Sequence, residues 1–166
     1  DPAIEAAEMQ QFGAVKVDTL EEMLPRVDYL TLHVPLMDTT RHLINAERLA
    51  LLRPEAVIIN TARGAVIEEA ALIAALEAGR LAGAGIDVYA PEPIDPDHPL
   101  CHMDNVLLSS HSAWYSEESL LDVKLRTAQA VADLVQGRIP QHVVNPDVLA
   151  MEDARWRRGL GAARGM

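Results

Sequence analysis

Three short apolar runs recur along this chain at one spacing, and that recurrence restricts its possible folds more than any other feature. Tyr29-Leu30-Thr31-Leu32-His33-Val34, Val57-Ile58-Ile59 and Gly85-Ile86-Asp87-Val88 begin 28 residues apart, and Val106-Leu107-Leu108 follows. The spacing is close to the length of one strand–helix–strand unit. Between the runs lie good helix formers, Asn45 to Leu52, stopped by Arg53-Pro54, and Ile67 to Ala78, stopped by Gly79. Asp18-Thr19 is placed to cap a short helix over Leu20 to Leu24, with Glu21 and Glu22 in its first turn. Strands apolar at consecutive positions are expected to be buried on both faces, as in a parallel sheet covered by helices. The expected architecture is therefore doubly wound α/β.

After Ser116 the rhythm changes. Positions 120, 123, 127, 131 and 134 form one apolar stripe at helical spacing, and 121, 125, 128, 132 and 135 form a second beside it. Together they are wider than a surface helix needs, so a long helix over 117 to 136 is expected to be gripped by more than one layer. Ser116 caps it and Gly137 ends it. Ile139-Pro140 then turns the chain into an extended stretch from His142 to Val144. Met151 to Met166 holds four Arg and three Gly with little periodic pattern, and reads as a mobile tail.

Composition narrows the function. A formal charge of −11 argues against nucleic acid and anionic membrane as partners, since both need a basic face. No apolar run reaches the roughly 20 residues of a membrane helix, and Asp1-Pro2-Ala3 does not resemble a signal peptide. One cysteine, Cys101, excludes an internal disulfide framework and suits a reducing cytoplasm. With 49% hydrophobic content, 166 residues can bury one ordinary core.

In an open parallel sheet, ligands bind beyond the carboxyl ends of the strands. His33 and Pro35 close the first run. Asn60, Thr61 and Arg63 follow the second. Asp87 ends the third, with Glu92 soon after, and His111 follows the fourth. Any one of these residues alone is more often structural than catalytic; the full series reverses that weighting. Arg is a natural clamp for a carboxylate, because its planar fork donates two charge-assisted hydrogen bonds. His can exchange a proton with a hydroxyl at neutral pH, and a nearby Glu can orient the ring and favour its charged form. Such a set suits interconversion of a 2-hydroxy acid and a 2-oxo acid, given a hydride acceptor.

These segments resemble the D-isomer-specific 2-hydroxyacid dehydrogenases. The likeness is carried by Leu32-His33-Val34-Pro35-Leu36, Asn60-Thr61-Ala62-Arg63-Gly64, Gly85-Ile86-Asp87-Val88-Tyr89, Pro91-Glu92-Pro93 and His111, in order over about residues 1 to 149. The resemblance implies an incomplete Rossmann-like domain over 1–112, a long connecting helix over 113–137, and a return segment of a mostly absent substrate domain over 138–150. The flexible tail is 151–166. It implies NAD as cofactor, a small 2-hydroxy or 2-oxo acid as substrate, and a homodimer. Catalysis would fall to Arg63, Glu92 and His111. Arg63 would anchor the substrate, His111 would act as general acid/base, and Glu92 would pair with it. The implied cofactor-lining positions are Asp1, His33, Pro35, Thr61, Ala62, Asp87 and His111, with Asp87 on the nicotinamide carboxamide. The segment His111-Ser112-Ala113-Trp114-Tyr115-Ser116-Glu117, with Gly137-Arg138-Ile139-Pro140, is similar to the C-terminal-binding protein branch of NAD(H)-sensing corepressors. There the residue matching Trp114 lines the substrate pocket. Formate dehydrogenases pair the His with Gln where this chain has Glu92.

Two departures stand out. Ser110 replaces the Pro that usually precedes the His. The glycine-rich pyrophosphate loop, which lies about 20 positions before an acidic residue, would fall upstream of Asp1, the residue matching that acid. The isolated chain is then expected to be a fragment that holds NAD weakly or is inactive. Several residues keep two readings: Asp1 as ribose ligand or plain terminus, His33 as cofactor contact or strand end, Trp114 as pocket wall or inter-domain packing. His98, Cys101 and His102 read as a turn and not a metal site, with Cys101 a buried or half-buried thiol. An NAD(H)-gated scaffold is the alternative to an enzyme.

Overall fold

The computed structural model describes residues 3–151. They form two compact units that divide between Ala113 and Trp114. In the first unit, four parallel strands lie side by side in chain order. These are β1 (Tyr29–Leu32), β2 (Val57–Asn60), β3 (Gly83–Ile86) and β4 (Val106–Leu108). Helices α1 (Ala6–Gln11) and α2 (Leu20–Met23) precede β1, while α3 (Ala46–Leu49) lies between β1 and β2 and α4 (Glu69–Glu77) between β2 and β3.

Local signals set most of the helix ends. Thr19 caps α2 by accepting the Glu22 N–H at 3.2 Å, and Asn45 caps α3 by accepting that of Arg48 at 3.0 Å. After α4, Gly79 adopts φ +64°, a left-handed conformation that glycine takes without steric cost. The N–H of Gly79 then bonds Leu76 and that of Arg80 bonds Ala75, which closes the helix as a Schellman motif. The predicted helix over 45 to 52 is shorter than expected, ending at Leu49 with turns leading to Arg53-Pro54. The third strand begins two residues earlier than its apolar run, at Gly83, and ends before Asp87.

Burial corrects one expectation. Leu30, Ile58 and Ala84 share a row across the sheet, as do Leu32, Asn60 and Ile86, and all six are buried. The row between them, Thr31, Ile59, Gly85 and Leu107, is exposed or half-buried. The deep core of this unit therefore lies on one sheet face. Leu24, Ile44, Val66, Leu72, Leu76 and Leu100 pack there in a single cluster.

The second unit is dominated by α5 (Glu117–Val135). Ser116 caps it with a reciprocal pair of hydrogen bonds to Ser119. Gly137, at φ +75°, ends it, with Arg138 N–H bonding Asp133. Among the described residues the expected grip of this helix by several layers is not found. None of its residues is buried, and Leu121, Val123, Leu125 and Val131 are each more than half exposed. No strand forms over His142–Val144; a 3-10 turn at Pro146–Leu149 follows. The tail beyond Met151 lies outside the described residues. Among the described residues no helix is long and apolar enough to cross a membrane.

Candidate active site

Register brings the polar residues to one edge. Leu32, Asn60, Ile86 and Leu108 are paired in a row, so His33, Thr61, Asp87 and Ser109 leave the sheet together. This is the carboxyl end of every strand, where a parallel sheet offers its ligand crevice.

Asn60 shapes the loop after β2. It is almost fully buried, its side-chain oxygen accepts the Ala62 N–H, and its amide donates to the Arg63 carbonyl, each at 3.0 Å. This Asx-type turn ties Thr61, Ala62 and Arg63 to the strand end. The exposed Arg63 side chain donates through Nη1 to the Ala62 carbonyl at 2.6 Å. Gly64 then passes against the backbone of Tyr89 and Ala90, so closely that a Cβ would lie 2.8 Å from the Ala90 nitrogen and nearer still to the Tyr89 carbonyl. Replacing Gly64 with Ala is expected to cost about 1–3 kcal/mol through overpacking against rigid backbone. Urea unfolding reads this directly. A wild-type midpoint would mean that the two loops do not abut.

The loop after β3 carries Glu92. Its Oε2 lies 2.9 Å from His111 Nδ1, and its Oε1 accepts the Tyr89 N–H at 3.0 Å. The hydrogen bond from His111, then that from Tyr89, hold the Glu92 carboxyl below the ordinary carboxylate range, and the charges of His111 and Arg63 act in the same direction. Arg63, Glu92 and His111 are thus brought together electrostatically, from three different strand ends. A cleft of about 690 Å³ lies beside Glu92 and His111, lined also by Tyr89, Ile94, Leu108 and Ser109 among others.

Asp87 is only 3% exposed. Its Oδ1 accepts the Ser109 hydroxyl at 2.5 Å and the Ser112 N–H at 2.8 Å, and its Oδ2 accepts the Ala113 N–H at 3.0 Å. The Asp87 carbonyl also accepts the His111 N–H at 2.8 Å. Burial alone would raise the Asp87 carboxyl; these bonds and the charge of His111 outweigh it and hold the group below its usual range. Asp87 therefore braces the His111 loop. The brace has strain to restrain. His111 sits at φ +53°, where a side-chain-bearing residue costs about 1 kcal/mol or more.

Other predicted residues have local roles. His33 Nε2 lies 2.8 Å from the Thr31 hydroxyl, and the Pro35 carbonyl accepts the Thr40 hydroxyl at 2.6 Å. Trp114 belongs to the second unit, where it meets Tyr115 edge-on at 5.7 Å and accepts the Ser119 hydroxyl at its carbonyl. Asp1 lies outside the described residues. His98 bonds Glu69 at 3.1 Å and caps the Pro99–His102 turn. Cys101 is exposed, contrary to expectation, because that turn points its sulfur outward to the Asp95 carbonyl at 3.6 Å. Among the described residues no group of three or more His, Cys, Asp or Glu side chains is placed to hold a metal ion. Sequence reasoning had not assigned site roles to Asn60, Tyr89 and Ser109. Only Asn60 had a usable signal, as a turn-forming side chain between an apolar run and an Arg.

Residues 1–113 match the family model of the D-isomer specific 2-hydroxyacid dehydrogenase, NAD binding domain. Glyoxylate reductase of Aeropyrum pernix is 39% identical over 131 residues, 79% of this chain and 39% of that protein. The holo D-mandelate dehydrogenase of Rhodotorula graminis is 36% identical with a TM-score of 0.75, covering 83% of this chain and 40% of that one. The D-lactate dehydrogenase of Aquifex aeolicus, solved with NAD and lactic acid, is 31% identical with a TM-score of 0.73. That match covers 81% of this chain and 45% of the Aquifex chain. The chain thus spans about two fifths of the length of these three relatives.

Proposed function

Since this chain belongs to the D-isomer specific 2-hydroxyacid dehydrogenase family, through its NAD-binding domain, we propose that the protein carrying it interconverts a D-2-hydroxy acid and a 2-oxo acid with NAD(H). The observation that carries this reading is the Glu92–His111 pair at 2.9 Å, with Arg63 close enough for its charge to act on Glu92.

The residues divide the work by chemistry. Arg63 holds the substrate carboxylate through its planar fork. With Nδ1 of His111 bound to Glu92, Nε2 is the nitrogen that takes the C2 hydroxyl proton in oxidation and returns it to the carbonyl oxygen in reduction. The ionised Glu92 stabilises the imidazolium so formed. Nicotinamide, when bound, supplies the hydride acceptor or donor for C2. The strand-end row fits such a cofactor: Thr61 and Ala62 are small, their loop is held back by buried Asn60, and His33 and Pro35 continue the same edge. Asp87 supports the nicotinamide side by fixing the His111 loop. We assign Asp1 to the ribose and Trp114 to the substrate pocket on the family likeness. A homodimer and a reducing, cytoplasmic setting complete the reading, the latter from the single thiol and acidic charge.

NADH oxidation by the whole protein with glyoxylate, pyruvate, hydroxypyruvate and phenylglyoxylate tests this. Turnover with at least one is expected. Arg63→Lys is expected to lower kcat/KM for that acid by about 10²-fold, since a point charge cannot replace a bidentate clamp. Tight NADH binding without turnover on any acid would overturn the enzyme reading. It would favour an NAD(H)-gated scaffold.

A further inference from the structure

Tyr89 is the residue on which the three parts of the site converge. Its backbone N–H donates to Glu92 Oε1 at 3.0 Å. Its phenol donates to the Ser109 carbonyl at 2.7 Å, two residues before His111, and lies 3.0 Å from the Ile86 carbonyl at the end of β3. Its own carbonyl group is the surface against which Gly64, next to Arg63, is packed. Burial pushes the Tyr89 phenol up, so it stays a donor throughout the neutral range.

We propose that Tyr89 is a positioning residue for the acid/base pair: one end of the residue holds Glu92, while the other straps the chain leading to His111. The geometry leaves few substitutes for it. Ser109 is held on its hydroxyl by Asp87 and on its carbonyl by Tyr89, so the segment entering His111 is gripped from two sides. Asp87 restrains the segment after His111 through the Ser112 and Ala113 N–H groups. Without the phenol, the entering segment loses a restraint that acts directly between β3 and β4, and the Glu92–His111 separation is no longer set from both sides.

The kinetic consequence rests on the dehydrogenase reading; the geometric one does not. Tyr89→Phe keeps the ring and the backbone N–H and removes only the strap. In the whole protein it is expected to reduce kcat by about tenfold, as small misplacements of reacting groups do, with NADH affinity changed less than about twofold. The acid limb of the kcat/KM profile is expected to move to higher pH. Glu92 is held below its ordinary range chiefly by the His111 bond, with help from Tyr89 N–H and the charges of His111 and Arg63, so loosening that bond raises it. Carbon-13 NMR of the Glu92 carboxyl reads the same shift without turnover. An upward shift with no activity on any 2-oxo acid supports the positioning role while removing the dehydrogenase reading. An unmoved Glu92 midpoint in folded Tyr89→Phe protein overturns the proposal, even if the melting temperature falls. If that variant does not fold, 3-fluorotyrosine at position 89 retains the donor. Its fluorine signal should then titrate with the Glu92 midpoint, and a flat signal through that range overturns the proposal equally.

Discussion

Replacing His111 with Asn is expected to lower kcat/KM for reduction of the preferred 2-oxo acid by about 10²–10⁴-fold, the usual range for loss of a positioned proton-transfer group. Asn is the informative choice because of the backbone. His111 lies at φ +53°, a region Asn tolerates better than Ala or Gln. The loop can therefore keep its His111 N–H bond to Asp87 and the Ser112 and Ala113 bonds beyond it. Cofactor binding should survive, with NADH affinity by fluorescence within a factor of a few of wild type. A variant retaining most of its activity would show that Glu92 and His111 are only a structural pair. A collapse of NADH binding, with the activity, would move the role of His111 from chemistry to scaffolding.

The second large effect concerns stability. Asp87→Ala is expected to cost about 3 kcal/mol or more, because it strips a buried acceptor from one hydroxyl and two N–H donors at once. Asp87→Asn should cost less, since an Oδ1 acceptor remains for Ser109 and Ser112 while an amide N–H₂ confronts Ala113. The pH dependence has a definite sign. The Asp87 carboxyl is held below its usual range in the folded chain, so its contribution is fully present above the unfolded value near about 3.9. It is lost as pH falls through the lower folded value. Wild-type stability should thus carry the full contribution of this group, unchanging with pH, between pH 5 and 8, and lose it below about pH 4 in a decline that Asp87→Asn lacks. Denaturant unfolding from pH 7 down to pH 3 checks it. Parallel curves for the two proteins across that span would mean that the carboxylate is not a brace.

The assignment of chemistry to Arg63, Glu92 and His111 needed little beyond the chain itself. Each follows an apolar run or its loop, and strands of a parallel sheet end on the same side, so strand-end residues must meet. The helix stops were similarly legible. Gly79 and Gly137 take the left-handed conformation and Ser116 takes the cap, because these signals act within a few residues. Burial on both sheet faces is not realised in the first unit. An apolar residue at every position shows that a strand can be buried, whereas which row meets helices depends on packing, and only the row of Leu30, Ile58 and Ala84 and that of Leu32, Asn60 and Ile86 are deeply covered here. The same limit applies to α5, whose two stripes are apolar yet unburied.

What the sequence determined by itself is therefore the strand rhythm, the helix ends and the identity of the three strand-end side chains proposed to react, all properties of short stretches of chain. Tertiary structure alone decided how those side chains are held. Asp87 reaches Ser109, Ser112 and Ala113 from 22 to 26 residues away, Tyr89 reaches Ser109 from 20, and Glu92 reaches His111 from 19. No local propensity encodes such pairs. They exist because β3 and β4 lie in register, which puts their outgoing loops within hydrogen-bonding distance and leaves buried polar groups no water to bond instead.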